Sequence, residues 1–426
     1  MTFSPALLAY ASATTLLAPF AGAWLQARAR AGKEDPERLG ERFGRDPRPR
    51  PNGALYWFHA ASVGEAGVAL QLIDALSSRD PSLSFLVSTG TRTSADLVRR
   101  RAGATTMHVF APLDLPVAVS RFFRHWRPDL GVFVESELWP NLIAAARREG
   151  VPLALVNARM SPASLRRWTS WRAAGKRLVC AFDYVSAADE RTAAALSALR
   201  AARVAALGNL KLAAPAPPVD APARAALVQE IGDRPVWLAA STHAGEDEIV
   251  IAAHAKLREA APHALLIVAP RHPERGGDVA ALAKGAPLRS RFEAIGAAPI
   301  YVADTLGEMG VFYSLAPAAL VAGSLLPHLK GHNPAEPAKL GAAIISGRNV
   351  ESFADVFTAF EHAGGVRLVT NAADIAAAVS ALWSDVSARQ AQCEAARKVV
   401  DQSASAQAET VQALMALCKR GAHAPA

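Results

Sequence analysis

Short apolar runs alternate with longer segments of helical spacing through most of this chain. In the first half the runs are Leu55–Phe58, Phe85–Ser88, His108–Ala111, Gly131–Val134, Leu153–Asn157 and Val204–Leu207. Between them, segments such as Ala66–Leu76 and Asn141–Arg148 repeat apolar residues at helical intervals. Strand–helix alternation predicts a parallel sheet covered on both faces. The pattern stops at Lys211–Arg224, KLAAPAPPVDAPAR, where prolines remove amide donors and fix φ, as in a linker. It resumes with Val236–Ala240, Leu265–Ala269, Ile300–Ala303, Ala319–Ala322, Ala343–Ile345 and Val366–Val369. Residues from Asp374 to Lys419 read as helical throughout. The expected organisation is two doubly wound α/β domains, 28–210 and 225–426, joined by a hinge at 211–224 and facing a cleft. The last helices have the option of packing back on the N-terminal domain.

Ahead of this lies Phe3–Gln26, which carries no charge and is long enough to cross a hydrocarbon core. Arg28, Arg30 and Lys33 follow at once, while Met1–Ser4 has no Lys or Arg. Residues 1–27 therefore read as a membrane anchor, with the rest of the chain on the cytoplasmic side by the positive-inside rule. A cleaved signal has its positive charge first, although Ala21-Gly22-Ala23 resembles a cleavage site. Pro5, Pro19 and several small polar residues also allow a helix lying in the interface.

Composition narrows the class. With 51% hydrophobic and 20% charged residues the chain can bury large cores, so wholesale disorder is excluded. Cys180, Cys393 and Cys418 are far apart and form no metal pattern, which suits reduced thiols in the cytosol. The formal net charge of +8 is spread over small clusters rather than one stripe. No nucleic-acid-binding module is visible. Anionic headgroups or an anionic donor account for the balance instead.

Ligands of open α/β sheets bind beyond the carboxyl ends of strands. There the first half offers Glu65, in the first turn of a helix, as an anion able to take a proton from a hydroxyl or simply to complement the helix end. Its fourth strand ends in Glu135-Ser136-Glu137-Leu138-Trp139-Pro140-Asn141. One of these two carboxylates is explained by helix capping, but not both. The second half offers Arg271, able to fork onto phosphate or to sit in a solvated loop. Thr305 and Glu308 have capping-box spacing, which would present amides at a helix N-terminus as an anion site. Asn333, Pro334 and Glu336 read as N-cap, first helical residue and reciprocal cap, and Glu336 could also hold ribose hydroxyls. An anion site in one half and carboxylates in the other is the division of labour of a nucleotide-sugar transferase.

In their order along the chain these stretches resemble the 3-deoxy-D-manno-octulosonic acid (Kdo) transferases of lipopolysaccharide synthesis (glycosyltransferase family 30 type). The family-like segments are His59–Glu65, Ser88–Thr91, Glu135–Asn141, Asn157–Ser161, Gly208–Lys211, Ala240–Glu246, Pro270–Arg275, Gly307–Met309 and His332–Glu336. The resemblance implies a GT-B fold of two Rossmann-like domains, a CMP-Kdo donor, a lipid A precursor as acceptor, and transfer with no cofactor or required metal. It places the general base on Glu65 and two transition-state stabilisers on Glu135 and Lys211. CMP contacts fall on Pro270, Arg271, Gly307, Glu308, Met309, Asn333, Pro334, Ala335 and Glu336. Two stretches depart from the family: Lys330-Gly331 replaces a glycine pair, and Ser346–Phe353 differs from the usual Gly-Pro-His run. A UDP-sugar transferase acting on lipid A precursors, a two-lobed solute-binding protein and an inactive relative are the competing readings. The Glu135–Asn141 and His332–Glu336 stretches, the charge order of residues 1–33, and the retention of Glu65 and Arg271 argue against them in turn.

Overall fold

A computed structural model describes residues 4–135, 138–160, 172–200 and 204–421. The chain forms two compact units, residues 1–214 with 403–426, and residues 215–402.

The first unit is built on seven parallel strands: β1 (Leu55–Ala60), β2 (Ser84–Thr89), β3 (Thr106–Phe110), β4 (Leu130–Val134), β5 (Leu153–Ala158), β6 (Tyr184–Ala187) and β7 (Ala205–Ala206). Their order is β3-β2-β1-β4-β5-β6-β7. The chain moves outward from β1 to β3, then returns to β4, so the winding reverses between β1 and β4. Alternation along β1 shows why both faces are covered. Leu55 and Trp57 join one core cluster, with Phe122, Phe123 and Phe133. Tyr56, Phe58 and Ala60 join the other, with Leu72, Phe85 and Val132. Gly131 makes room for this packing, since a Cβ there would lie 2.7 Å from a Leu153 methyl and 3.2 Å from the Trp57 ring.

The second unit has six parallel strands, β8 (Val236–Thr242), β9 (Leu265–Pro270), β10 (Ile300–Val302), β11 (Ala318–Val321), β12 (Ala343–Gly347) and β13 (Val366–Val369). Their order is β10-β9-β8-β11-β12-β13, which puts its reversal between β8 and β11. Trp237 and Ala239 face one core, while Val236, Leu238 and Ala240 face the other. In each sheet the loops beside the reversal flank the crevice where α/β folds receive ligands.

The structure corrects two details. β6 is a strand the apolar pattern did not reveal, because polar residues interrupt its four positions and only Val185 carries a strong apolar signal. The helical stretch expected over residues 374–419 is divided at Asp385 into Ala372–Ser384 and Val386–Gly421. Asp385 leaves helical φ/ψ there, and its side chain accepts the Ala388 amide at 2.8 Å. Further along that helix, Ala406, Val411 and Leu414 pack into the first unit's core.

Helix α1 (Pro5–Leu17), a single 3-10 turn and helix α2 (Ala21–Arg30) form one stretch long and apolar enough, by length and composition, to cross a membrane. Leu8, Leu16, Leu17, Phe20 and Trp24 are exposed on it. Leu7 packs against the first unit's core.

Candidate active site

In the first unit, β1 ends where Ser62 caps the helix Val63–Arg79. The Ser62 hydroxyl accepts the Glu65 amide at 3.3 Å and donates to Glu65 Oε1 at 2.9 Å. Glu65 Oε2 accepts the Ala61 amide at 2.7 Å. This reciprocal box fixes a buried carboxylate at the positive end of a helix, where the anion is favoured.

Glu135 follows β4 with φ at 61°, an uncommon left-handed setting for a residue with a side chain. Its Oε1 lies 2.6 Å from Lys211 Nζ, with only 14% and 20% of the two side chains exposed. That oxygen makes no well-directed hydrogen bond, so the pair is a close charge contact. Lys211 also crosses the start of the Glu65 helix: a Cβ on Gly64 would meet Lys211 Cε at 3.4 Å and Nζ at 3.7 Å. The structure thus brings Lys211 to Glu135 and to the start of the Glu65 helix, at the carboxyl ends of the adjacent strands β1 and β4. Glu137 lies outside the described residues.

Asn157 holds Lys211 in place, a role that sequence reasoning missed. It ends β5 fully buried, with φ at 53°. Its Oδ1 accepts the Leu210 amide at 2.9 Å, and its Nδ2 donates to Asn209 Oδ1 at 3.4 Å. Asn209 in turn accepts the Lys211 amide at 3.1 Å. An Asn closing an apolar run was the available signal, since Asn tolerates the left-handed conformation. His59, also in the family-like stretch, is no acid–base group near neutral pH. Burial beside Trp57 and Phe133 pushes its imidazole down to about 3.

In the second unit, Pro270 ends β9 and Arg271 follows, exposed and without an ion pair among the described residues. Its charge reaches His243, His332 and Glu336, which places it beside the Asn333–Glu336 turn. Asn333 Oδ1 accepts the Ala335 amide at 3.0 Å, but the helix runs Ala335–Leu340, so Pro334 precedes the helix rather than opening it. The reciprocal cap expected of Glu336 does not form. Glu336 makes no hydrogen bond among the described residues, and desolvation raises its carboxyl above the ordinary range while Arg271 opposes the shift. The capping box expected at Thr305 and Glu308 is also absent as such. The Thr305 hydroxyl donates to the Glu308 carboxylate, yet the helix starts only at Met309. Arg289 pairs with Glu308 at 2.6 Å and holds its carboxyl below the ordinary range. Gly307 turns ahead of that helix with φ at 85°, and the helix start has no side-chain cap.

Three further residues organise the β8–β11 reversal. Glu246, wholly buried, accepts amides from Gly323, Ser324, Leu325 and His243 at 2.8–3.1 Å. His243 and His332 stack with Nε2 atoms 2.9 Å apart, and a Cβ at Gly323 would lie 2.5 Å from the His332 ring. Among the departures, Lys330 adopts φ of 63°, and Gly347 permits an approach in which a Cβ would lie 2.0 Å from the Ser324 carbonyl.

A family model described as "3-Deoxy-D-manno-octulosonic-acid transferase (kdotransferase)" matches residues 37–214. An Arabidopsis thaliana protein named "Probable 3-deoxy-D-manno-octulosonic acid transferase, mitochondrial" is 34% identical, over 88% of this chain and 88% of its own. The 3-deoxy-D-manno-octulosonic acid transferase of Bordetella pertussis is 34% identical over 95% of this chain and 98% of its own. Among solved structures, MurG of Acinetobacter baumannii aligns with 85% of this chain and all of its own at a TM-score of 0.52 and 15% identity, a likeness of GT-B fold alone. Full-length similarity at this identity makes the chain a glycosyltransferase and a member of the 3-deoxy-D-manno-octulosonic acid transferase family.

Proposed function

We propose that the chain transfers Kdo from CMP-Kdo to a sugar hydroxyl of a lipid A precursor of the lipid IVA kind, with inversion and without a required metal. The transfer takes place on the cytoplasmic face of the inner membrane, where residues 1–27 hold the enzyme. The donor domain is 225–426, with the end of its last helix packed in the first unit's core, the acceptor domain 28–210, and 211–224 the hinge. Glu65 removes the acceptor proton, the freed oxygen attacks the anomeric carbon of Kdo, and the bond to CMP breaks, so that CMP carries the electron pair away.

The observation that carries this reading is the Lys211–Glu135 contact of 2.6 Å, packed on Gly64, the residue before Glu65. The Lys211 cation, held by the fold rather than by solvent, supplies preorganised charge for the negative charge that develops in the transition state. Glu65, held at the helix start by Ala61 and Ser62, is the carboxylate that takes the acceptor proton. On the donor side, Arg271, Pro270, the Gly307–Glu308–Met309 turn and Asn333–Pro334–Ala335–Glu336 contact CMP. Arg271 takes the phosphate charge, and Glu336 the ribose hydroxyls. Glu336 suits that role because no protein donor occupies it among the described residues.

The test is incubation of enzyme, CMP-Kdo and a tetra-acylated lipid A precursor, followed by mass spectrometry of the lipid, with and without a chelator. One or more Kdo increments in both conditions are expected. A lipid of unchanged mass, or transfer abolished by the chelator, would count against the reading.

A further inference from the structure

Helix α1 carries no charge, yet two of its polar side chains are committed to one place. The Thr14 hydroxyl is 2.9 Å from the Tyr10 carbonyl oxygen and 3.0 Å from that of Ala11, so its proton is used within its own helix. Its oxygen accepts from Asn141 Nδ2 at 3.0 Å. Asn141 is 8% exposed, and the same amide donates to the Asp114 carbonyl at 2.6 Å. The Asp114 carboxylate accepts the Asn141 and Leu142 amides at 3.1 and 2.8 Å, and Tyr10 lies near enough to interact with its charge.

These contacts meet at the start of a helix. The helix Pro140–Arg148 begins after Trp139, which makes no side-chain cap, and Pro140 has no donor. Asp114, from the loop after β3, performs the capping. Asp114 and Asn141 are both tied to α1. Glu135 is therefore set by β4, and Asn141, six residues on, by contacts that include the apolar N-terminal helix. Glu135 sits at a left-handed φ, which persists only where its surroundings over-determine it.

We propose that Tyr10–Asp114 and Thr14–Asn141 form a latch through which the apolar N-terminal helix positions the Glu135 loop for catalysis. Tyr10, Thr14, Asp114 and Asn141 are positioning residues that act through Glu135 and its partner Lys211. The inference rests on the proposed catalytic part of that pair. The helix is then a working part of the acceptor site as well as an anchor, and turnover depends on its being seated.

The test uses the full chain in detergent, with Thr14→Val, Tyr10→Phe, the double variant, and Thr14→Ser as the conservative change. The double variant is expected to lower kcat at least about tenfold, because small misplacements of reacting groups are costly. KM for CMP-Kdo and recovery in the membrane fraction should stay as in the wild type, and Thr14→Ser should keep wild-type kcat. Wild-type kcat in the double variant, with or without a lower melting temperature, overturns the latch. So does an equal loss in Thr14→Ser and Thr14→Val. Hydrogen exchange of the peptide 135–143 reads the latch without any turnover. It is expected to rise in the double variant and not in Thr14→Ser, and unchanged exchange overturns the proposal. A wild-type chain that transfers nothing while exchange responds as expected counts against the proposed function and supports the latch.

Discussion

Lys211 reaches back across the first unit to set its ammonium 2.6 Å from Glu135, and its stem crosses Gly64 on the way. Lys211 follows β7 at the sheet's edge, whereas Glu135 ends β4 at its centre. Asn157 secures the return by bonding the turn that carries Lys211. If the pair acts as one unit, Glu135→Gln, Lys211→Met and the double change will not add. A coupling of about 0.5–3 kcal/mol in transition-state stabilisation is expected from a double-mutant cycle on kcat/KM. Additive effects would mean that the two side chains act separately.

Glu65 is both a helix cap and the proposed base, and one substitution separates the roles. Glu65→Gln preserves shape and still accepts hydrogen bonds, but it cannot take a proton. As a cap alone, Glu65 would cost roughly 0.3–1 kcal/mol of stability on this change, with little loss of activity. As the base, it should in addition cost about a hundredfold or more in turnover. CMP affinity should be unchanged either way. Near-normal turnover would pass the role to another carboxylate, with Glu135 or Glu137 next.

Arg271 has no ion pair among the described residues, so its removal disturbs no internal partner. Arg271→Ala should weaken CMP binding by about 1.5–3 kcal/mol, the worth of a charge-assisted contact. Calorimetry with CMP and a thermal melt of the same sample check this. Affinity equal to the wild type would take Arg271 out of the donor site.

Acid sensitivity follows from buried imidazoles. Burial depresses His59 to about 3, His108 to about 3 and His254 to about 4 from an ordinary 6.5. Each binds its proton more readily in the unfolded chain. Their contribution to stability is complete above about pH 6.5 and is lost as pH falls from there toward the folded values. Each contributes a slope of up to about 1.4 kcal/mol per pH unit in that window. Denaturant melts of His59→Gln between pH 4.5 and 7.5 should show a shallower slope than the wild type. Parallel slopes would mean that His59 titrates normally in the fold.

Much of the fold was legible because its cause is local. A parallel strand buried on both faces is a short apolar run, and a covering helix repeats its apolar positions every three or four residues. Twelve runs chosen on that basis all fall on strands of the two sheets. The exception, β6, is held by pairing with β5 and β7 rather than by an apolar signal of its own. Site residues were legible as residue types at strand ends, but their caps were misjudged. Capping spacing at 305–308 and 333–336 is common to several turn geometries, and only the structure shows Arg289 taking Glu308 and nothing taking Glu336 among the described residues.

By itself the sequence determined the two parallel sheets, the apolar N-terminal stretch and the family, since each resides in neighbouring residues or in short motifs. Tertiary structure alone decided which distant side chains meet: Lys211 with Glu135, Asn157 with Leu210, Thr14 with Asn141, and Glu246 with the amides after β11. Those contacts depend on strand order and on the path of the returning chain, which the local periodicity of a sequence does not specify.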